Sequence, residues 1–264
     1  MSRRRVCLIG FDPPEIEELR SRIPAAIIAH STLPKYRVQK GQLHVDSESG
    51  AWLLPVDLVV FNGIFEDDYD FLLALNIWGG PCFPNPQGML DCRLRHACLI
   101  RALRVTKFPG HGRGFVPAGQ SIDCDVETIA KWGNWHCGEN KHRFIGVWRA
   151  EESATLEPYF SGKSVRIVLL NDEAMQIELA GEDWKHSIHH NDAHFTPLDV
   201  DLVEDSRNIA RHLNLDILGN DYIVTQTGER YLLEVNHIPN VTRFPELWKR
   251  YSDLVIGWVN ARLV

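Results

Sequence analysis

The chain lacks the features that mark several large classes of protein. It has no apolar run approaching the roughly 20 residues of a membrane-spanning helix. Near the start, Val6-Cys7-Leu8-Ile9 follows Arg3, Arg4 and Arg5, but it is too short for the apolar region of a signal peptide and meets Asp12-Pro13-Pro14. It reads as the first strand of a domain. Six cysteines, at 7, 82, 92, 98, 124 and 137, form no CxxC pair and read as free thiols of a reducing cytosol, a cytoplasmic setting. Positive charge is scarce as well. Against 35 Asp and Glu stand 28 Lys and Arg, and a net charge of −7 excludes the basic surface that nucleic-acid phosphates require. What is present, 44% hydrophobic and 24% charged residues over 264 positions, is a globular composition long enough for two or three subdomains sharing a core.

The chemistry concentrates in a few segments. Asp221-Tyr222-Ile223-Val224 and Tyr231-Leu232-Leu233-Glu234-Val235-Asn236 flank the turn Gln226 to Arg230 and read as a β-hairpin. Glu234 and Asn236 are two residues apart, so they share a sheet face, and Asp221 lies beside them across the hairpin. Two carboxylates and an amide oxygen, without thiolate or imidazole, suit Mg²⁺. The bland alternative is a solvated acidic hairpin.

A second segment runs from Lys131 through Trp132-Gly133-Asn134-Trp135-His136-Cys137-Gly138-Glu139-Asn140 to Lys141. A strand ends on a lysine and a glycine-containing loop follows, so backbone amides and two ammonium groups can meet an anion. No Gly-Lys-Ser/Thr enters a helix there, so it is not a Walker loop.

Taken in order, these motifs resemble the ATP-grasp superfamily. Lys131 to Lys141 is similar to the lysine and phosphate-loop motif of synapsins. Glu234-Val-Asn-His-Ile-Pro239 resembles the Glu-x-Asn-x-x-Pro motif of ribosomal-protein glutamate ligases and glutathione synthetases. Between them, Leu156-Glu157-Pro158-Tyr159-Phe160 resembles the hinge strand over the adenine, and Gly162 to Leu169 resembles the next strand, with Arg166 facing phosphate. The resemblance covers roughly residues 84 to 245. It implies an α/β protein with α+β subdomains, an ATP-grasp fold behind an N-terminal Rossmann-like pre-ATP-grasp domain, divided as 1–84, 85–155 and 156–264. It implies ATP and Mg²⁺, with Lys131, Trp132, His136, Lys141, Glu157, Pro158, Tyr159 and Arg93 on the nucleotide, Asp221, Glu234 and Asn236 on the metal, and Arg166 and Lys185 at the reacting groups. The activity implied is ATP-dependent ligation of a carboxylic acid to an amine through an acyl phosphate. The partners are an amino-acid, peptide or small acid and an amine, with neither nucleic acid nor membrane; a homodimer is left open.

One departure stands out. The family begins a helix with Asp-Lys, whereas Asp91 is followed here by Cys92 and Arg93, so Arg93 takes the lysine's part with a planar fork instead of a point charge. That departure keeps open a synapsin-like nucleotide-binding module without ligation, against which the retained Glu234 and Asn236 argue. Elsewhere the sequence predicts strands Val6–Ile9 and Leu58–Phe61, helices near Glu15–Ser21 and over Asp67–Trp78, and one helix from Asp91 through Leu103 with Leu94, Ala97, Cys98, Leu99, Ala102 and Leu103 at helical spacing. A helix is expected from Val203 to Leu213 and a last one from Glu246 to Leu263. Lys107 to Pro117 reads as a connection, not a second phosphate loop. His186, His189, His190 and His194 invite zinc, but their spacing suits tetrahedral closure poorly and they read as structural or solvated.

Overall fold

The computed structural model describes residues 4–62, 68–108, 112–133 and 140–263. His136, expected at the nucleotide, and Asp67, expected to start a helix, lie outside the described residues. The chain opens with β1 (Arg5–Ile9), α1 (Pro13–Arg22), β2 (Ala26–His30), β3 (Tyr36–Gln39), β4 (Gln42–Asp46), β5 (Leu53–Val56), β6 (Leu58–Phe61), α2 (Tyr69–Trp78) and β7 (Cys82–Phe83). β1 lies between β2 and β6 in the parallel order β2-β1-β6-β7, which explains its unbroken apolar run: both faces are covered. Two prolines open α1, and Glu15 reaches back to the amide of Asp12 at 2.9 Å. β3, β4 and β5 form a small antiparallel sheet.

The chain continues through α3 (Pro86–Cys92), α4 (Arg95–Leu103), β8 (Gly114–Val116), β9 (Ser121–Trp132), β10 (Lys141–Arg149) and β11 (Ala154–Pro158). The single helix expected from Asp91 is therefore two. Asn85 caps α3, its side-chain oxygen accepting from the amides of Gln87 and Gly88 at 2.9 and 3.0 Å. Leu94 then takes extended backbone, and α4 starts afresh at Arg95. Gly88 is required where α3 crosses the end of a later helix, since a Cβ there would fall 2.6 Å from the Asn214 carbonyl oxygen.

The last part holds β12 (Lys163–Leu170), β13 (Glu173–Glu178), β14 (His194–Thr196), α5 (Val200–Leu213), β15 (Ile217–Val224), β16 (Arg230–Asn236) and α6 (Pro245–Leu263). The five strands form one antiparallel sheet, in the order β14-β13-β12-β15-β16. α5 buries Leu202, Val203, Ile209 and Leu213 against Val165, Ile167 and Leu169, while α6 covers Val168 and Leu170 with Leu247, Tyr251, Val255 and Val259. The face of β12 under α6 is thus apolar at one end. At the other it carries Ser164 and Arg166, which leaves that end for the site. α6 also packs on Val6, Leu8 and Phe11, joining the N-terminal sheet to the large one. The described cysteines, Cys7, Cys82, Cys92, Cys98 and Cys124, are free thiols. Among the described residues no helix is long and apolar enough to cross a membrane.

Candidate functional site

A cleft with about 680 Å³ of space lies between the four-stranded sheet β10-β9-β11-β8 and the five-stranded sheet. Strand alternation decides what lines it. On β9, Ile129 and Lys131 face the cleft, while Ala130 and Trp132 face away. Trp132 joins His142 and Trp148 around a separate pocket on the outer side, so the expected nucleotide contact by Trp132 is not what the strand geometry provides.

One half of the cleft is apolar, walled by Ile129, Pro158, Tyr159, Phe160, Leu179, Trp184, Ile223 and Leu233. Packing fixes this wall. The Arg143 guanidinium lies 3.7 Å over the Tyr159 ring, Trp184 meets Tyr159 edge-on at 6.4 Å, and Phe160 stacks on Tyr231 at 3.8 Å. The Tyr159 amide is spent on the Glu127 carbonyl at 2.8 Å. Lys185, expected at the reacting groups, is exposed, with its ammonium 5.5 Å from the centre of the Trp184 ring. Its neighbours Trp184 and His186 line the cleft instead.

The other half is charged. Lys141 is opposite Lys131 in the β9–β10 register, an arrangement that is unfavourable without a counter-charge. Glu157 supplies one: its carboxylate pairs with Lys131, and its second oxygen lies 3.4 Å from Arg113 Nε. Lys131 and Glu157 are each only 6% exposed. The charge of Glu157 therefore neutralises the buried lysine. Arg113 also donates to the Leu232 carbonyl at 3.1 Å and so ties β11 to the hairpin β15–β16.

In that hairpin Asp221 pairs with Glu234 and Gly219 with Asn236, bringing the three expected metal ligands together. Asn236 Nδ2 lies 3.4 Å from Asp221 Oδ2. On the opposite face of β15, Tyr222 donates to the fully buried Asp205 at 2.8 Å; Asp205 also accepts from Thr106 Oγ1 at 2.8 Å and the Lys107 amide at 2.6 Å. The segment that follows α4, on the way to the β10-β9-β11-β8 sheet, is thereby pinned behind the site.

Both carboxylates carry an arginine. Arg166, opposite Asp221 on β12, donates through Nε to Oδ1 at 2.6 Å and through its terminal nitrogen to Oδ2 at 2.7 Å, a buried bidentate pair. Burial works against the Arg166 charge, and Asp221 outweighs it, so its pKa lies above the ordinary arginine value. Arg95 Nε lies 3.8 Å from Glu234 Oε1. Arg93, expected at the phosphates, turns away into an ion pair with the buried Asp68, because the helix breaks before Arg95. Arg95, His96, Arg113, Trp184 and His186 are thus the site residues that sequence reasoning missed.

The electrostatics point to an anion. Five cationic side chains, Lys131, Lys141, Arg95, Arg113 and Arg166, meet three carboxylates, Glu157, Asp221 and Glu234. Burial pushes Lys141 below the ordinary lysine range and Lys131 adds to it, with Glu234 opposing. His96 is lowered by burial, then by Arg95 and Lys131. Two carboxylates and an amide are oxygen donors of the kind a hard divalent cation takes, so the set fits Mg²⁺ once the arginines yield. Among the described residues no group of three or more His, Cys, Asp or Glu side chains converges as a metal site, and the histidine cluster is spent locally: His189 meets Asn240 at 3.2 Å and His194 the Asp192 carbonyl at 2.8 Å.

No family model matches the chain, and no curated protein matches it in sequence. Solved structures do match. D-alanyl-alanine synthetase A from Vibrio cholerae is 14% identical, with a TM-score of 0.70 over 100% of this chain and 99% of that one. D-alanine–D-alanine ligase from Bacillus anthracis, solved with ATP, is 14% identical at a TM-score of 0.65, covering 100% and 99%. A peptide-associated ATP-grasp ligase from Chryseobacterium gregarium, solved with ADP and a leader and core peptide, is 12% identical at 0.61, covering 98% and 97%. The chain has the ATP-grasp fold.

Proposed function

We propose that the chain is an ATP-dependent carboxylate–amine ligase that forms an amide through an acyl phosphate. The observation that carries this reading is the two-part cleft, an apolar slot beside Glu157 that opens onto Lys131, Lys141 and the Asp221–Glu234–Asn236 set. The slot suits a flat nucleobase, and the charged half suits its phosphates. Lys131 and Lys141 hold phosphate oxygens from the β10-β9-β11-β8 sheet, and Arg95, not Arg93, supplies the guanidinium from the helix start. Asp221, Glu234 and Asn236 would hold Mg²⁺, which when bound spreads the charge of the phosphates. Arg166, opposite Asp221 on β12, faces the transferred group. Because acid and phosphate are both anions, this chain's contribution is positioning and cationic charge in a site that excludes water. The acid is an amino acid, peptide or small carboxylate. Residues 1–84, 85–155 and 156–264 form the three units, with α3 and α4 packed on the large sheet.

A second reading, a nucleotide-binding module without ligation, draws on the pairing of Arg166 with Asp221 and Arg93 with Asp68. Phosphate release decides between them: ligation makes ADP and phosphate only with both an acid and an amine present, and a binding module makes neither.

A further inference from the structure

The two carboxylates of the hairpin lie opposite one another in register, and each is already matched by a guanidinium: Asp221 by Arg166 and Glu234 by Arg95. The first pair is bidentate and closed, with Arg166 8% and Asp221 7% exposed. The backbone makes room for it. The Arg166 stem runs over Gly219, where a Cβ would sit 3.4 Å from Arg166 Cδ and 3.3 Å from Pro239 Cβ, tighter than side chains ordinarily pack.

We propose that Arg166 and Arg95 are stand-in cations for the metal, so that a divalent ion enters the Asp221–Glu234–Asn236 set only together with a polyphosphate that takes over the two guanidinium groups. This rests on the nucleotide-and-metal reading of the same cleft. The physical argument is an exchange of partners. An ion arriving alone must displace Arg166 from Asp221 and leave a buried, unpaired positive charge, which is strongly unfavourable. Phosphate oxygens offer the same bidentate geometry that the carboxylate does, so with polyphosphate present the guanidinium changes one anion for another while the carboxylates turn to the metal. Metal and nucleotide then bind with positive coupling, and the coupling is reciprocal. Arg166 and Arg95 therefore weaken metal binding in the empty cleft and strengthen phosphate binding in the filled one. A residue that serves only to hold the fold changes both in the same direction.

The test uses Mn²⁺ as the probe, read by electron paramagnetic resonance on the whole chain, with and without a non-hydrolysable ATP analogue. The wild-type protein is expected to bind Mn²⁺ at least fivefold more tightly with the analogue than without it, the lower end of ordinary coupling. Arg95→Leu is expected to raise Mn²⁺ affinity in the empty protein and lower affinity for the analogue. Arg166→Lys keeps the charge, loses the fork, and is expected to shift both in the same two directions while folding. Equal or weaker Mn²⁺ binding by both empty variants overturns the stand-in role, and if the analogue and Mn²⁺ still bind together, the nucleotide reading survives. Failure of the folded wild-type protein to bind the analogue at millimolar concentration with Mn²⁺ overturns both.

Discussion

Replacing Lys131 separates what this lysine does for the fold from what it does for phosphate. Its ammonium pairs with Glu157, and both side chains are buried, so Lys131→Met leaves the Glu157 carboxylate in low dielectric, with Arg113 Nε 3.4 Å away. Breaking a buried pair from one side costs about 3–5 kcal/mol, and the nearby Arg113 places this case toward the lower end, about 3 kcal/mol. Phosphate binding loses a charge-assisted hydrogen bond on top of that, about 1.5–3 kcal/mol, or roughly 10- to 150-fold in affinity. Urea unfolding measures the first quantity and calorimetric titration with Mg-ATP the second. In the double variant Lys131→Met/Glu157→Gln the orphaned carboxylate is gone, so stability should recover by most of the loss while nucleotide affinity stays low. Recovery of affinity along with stability would refute the reasoning, because it would mean that Lys131 acts only by neutralising Glu157.

Glu234→Gln and Asn236→Ala should leave nucleotide binding within a few-fold yet raise the barrier of the metal-dependent step by about 2–4 kcal/mol, measured as kcat against Mg²⁺ concentration. Lys141 has its pKa lowered by burial from 10.5. Its charged form binds phosphate, so nucleotide affinity should fall as pH rises through that lowered value, and Lys141→Arg should flatten the fall in titrations across pH. Stability runs the opposite way: a lysine pKa lowered in the fold penalises the folded state in full below that value, and the penalty fades as pH rises toward 10.5, so Lys141→Met should raise the urea midpoint at neutral pH. Asp205→Ala strands the Lys107 amide and leaves the Tyr222 hydroxyl with Ser206 Oγ at 3.0 Å, and should cost about 1–3 kcal/mol in unfolding experiments. Arg93→Ala should likewise lower stability without touching nucleotide affinity, because Arg93 serves Asp68.

The parts of this molecule that follow local periodicity were legible in its sequence. Alternation and a turn at Gly228, whose φ of +84° suits glycine, were enough to form the hairpin and put Glu234 and Asn236 on one face, but a register shift between Asp221 and Tyr222, which alternation does not foretell, is what sets Asp221 opposite Glu234 instead of Leu233. The helix break at 93–94 was not, since apolar residues at helical spacing continue through it and the partner that Arg93 meets, Asp68, comes from far back in the chain. Arg166 was readable as a strand arginine near phosphate. Its partner was not, because the adjacency of β12 and β15 is a matter of strand order. Arg113 escaped for a similar reason: both its partners, Glu157 and Leu232, come from distant strands. Trp132 and Lys185 illustrate a different limit. Each stands next to a motif residue in the sequence, yet period-2 alternation places Lys131 on the cleft face and Trp132 on the other, and Trp184 and His186 flank an outward Lys185.

The proposed chemistry of the cleft is formation of an acyl phosphate. An acyl phosphate reacts with any small nucleophile that reaches it, so the direct measurement is hydroxamate formation with hydroxylamine in place of the amine, run over a panel of amino acids, peptides and small acids with Mg-ATP. At least one acid should yield hydroxamate and stoichiometric ADP, and Glu234→Gln should slow both together by roughly 30- to 900-fold. Tight ATP binding with no hydroxamate and no phosphate above the buffer rate from any acid in the panel would contradict it and leave a nucleotide-binding module.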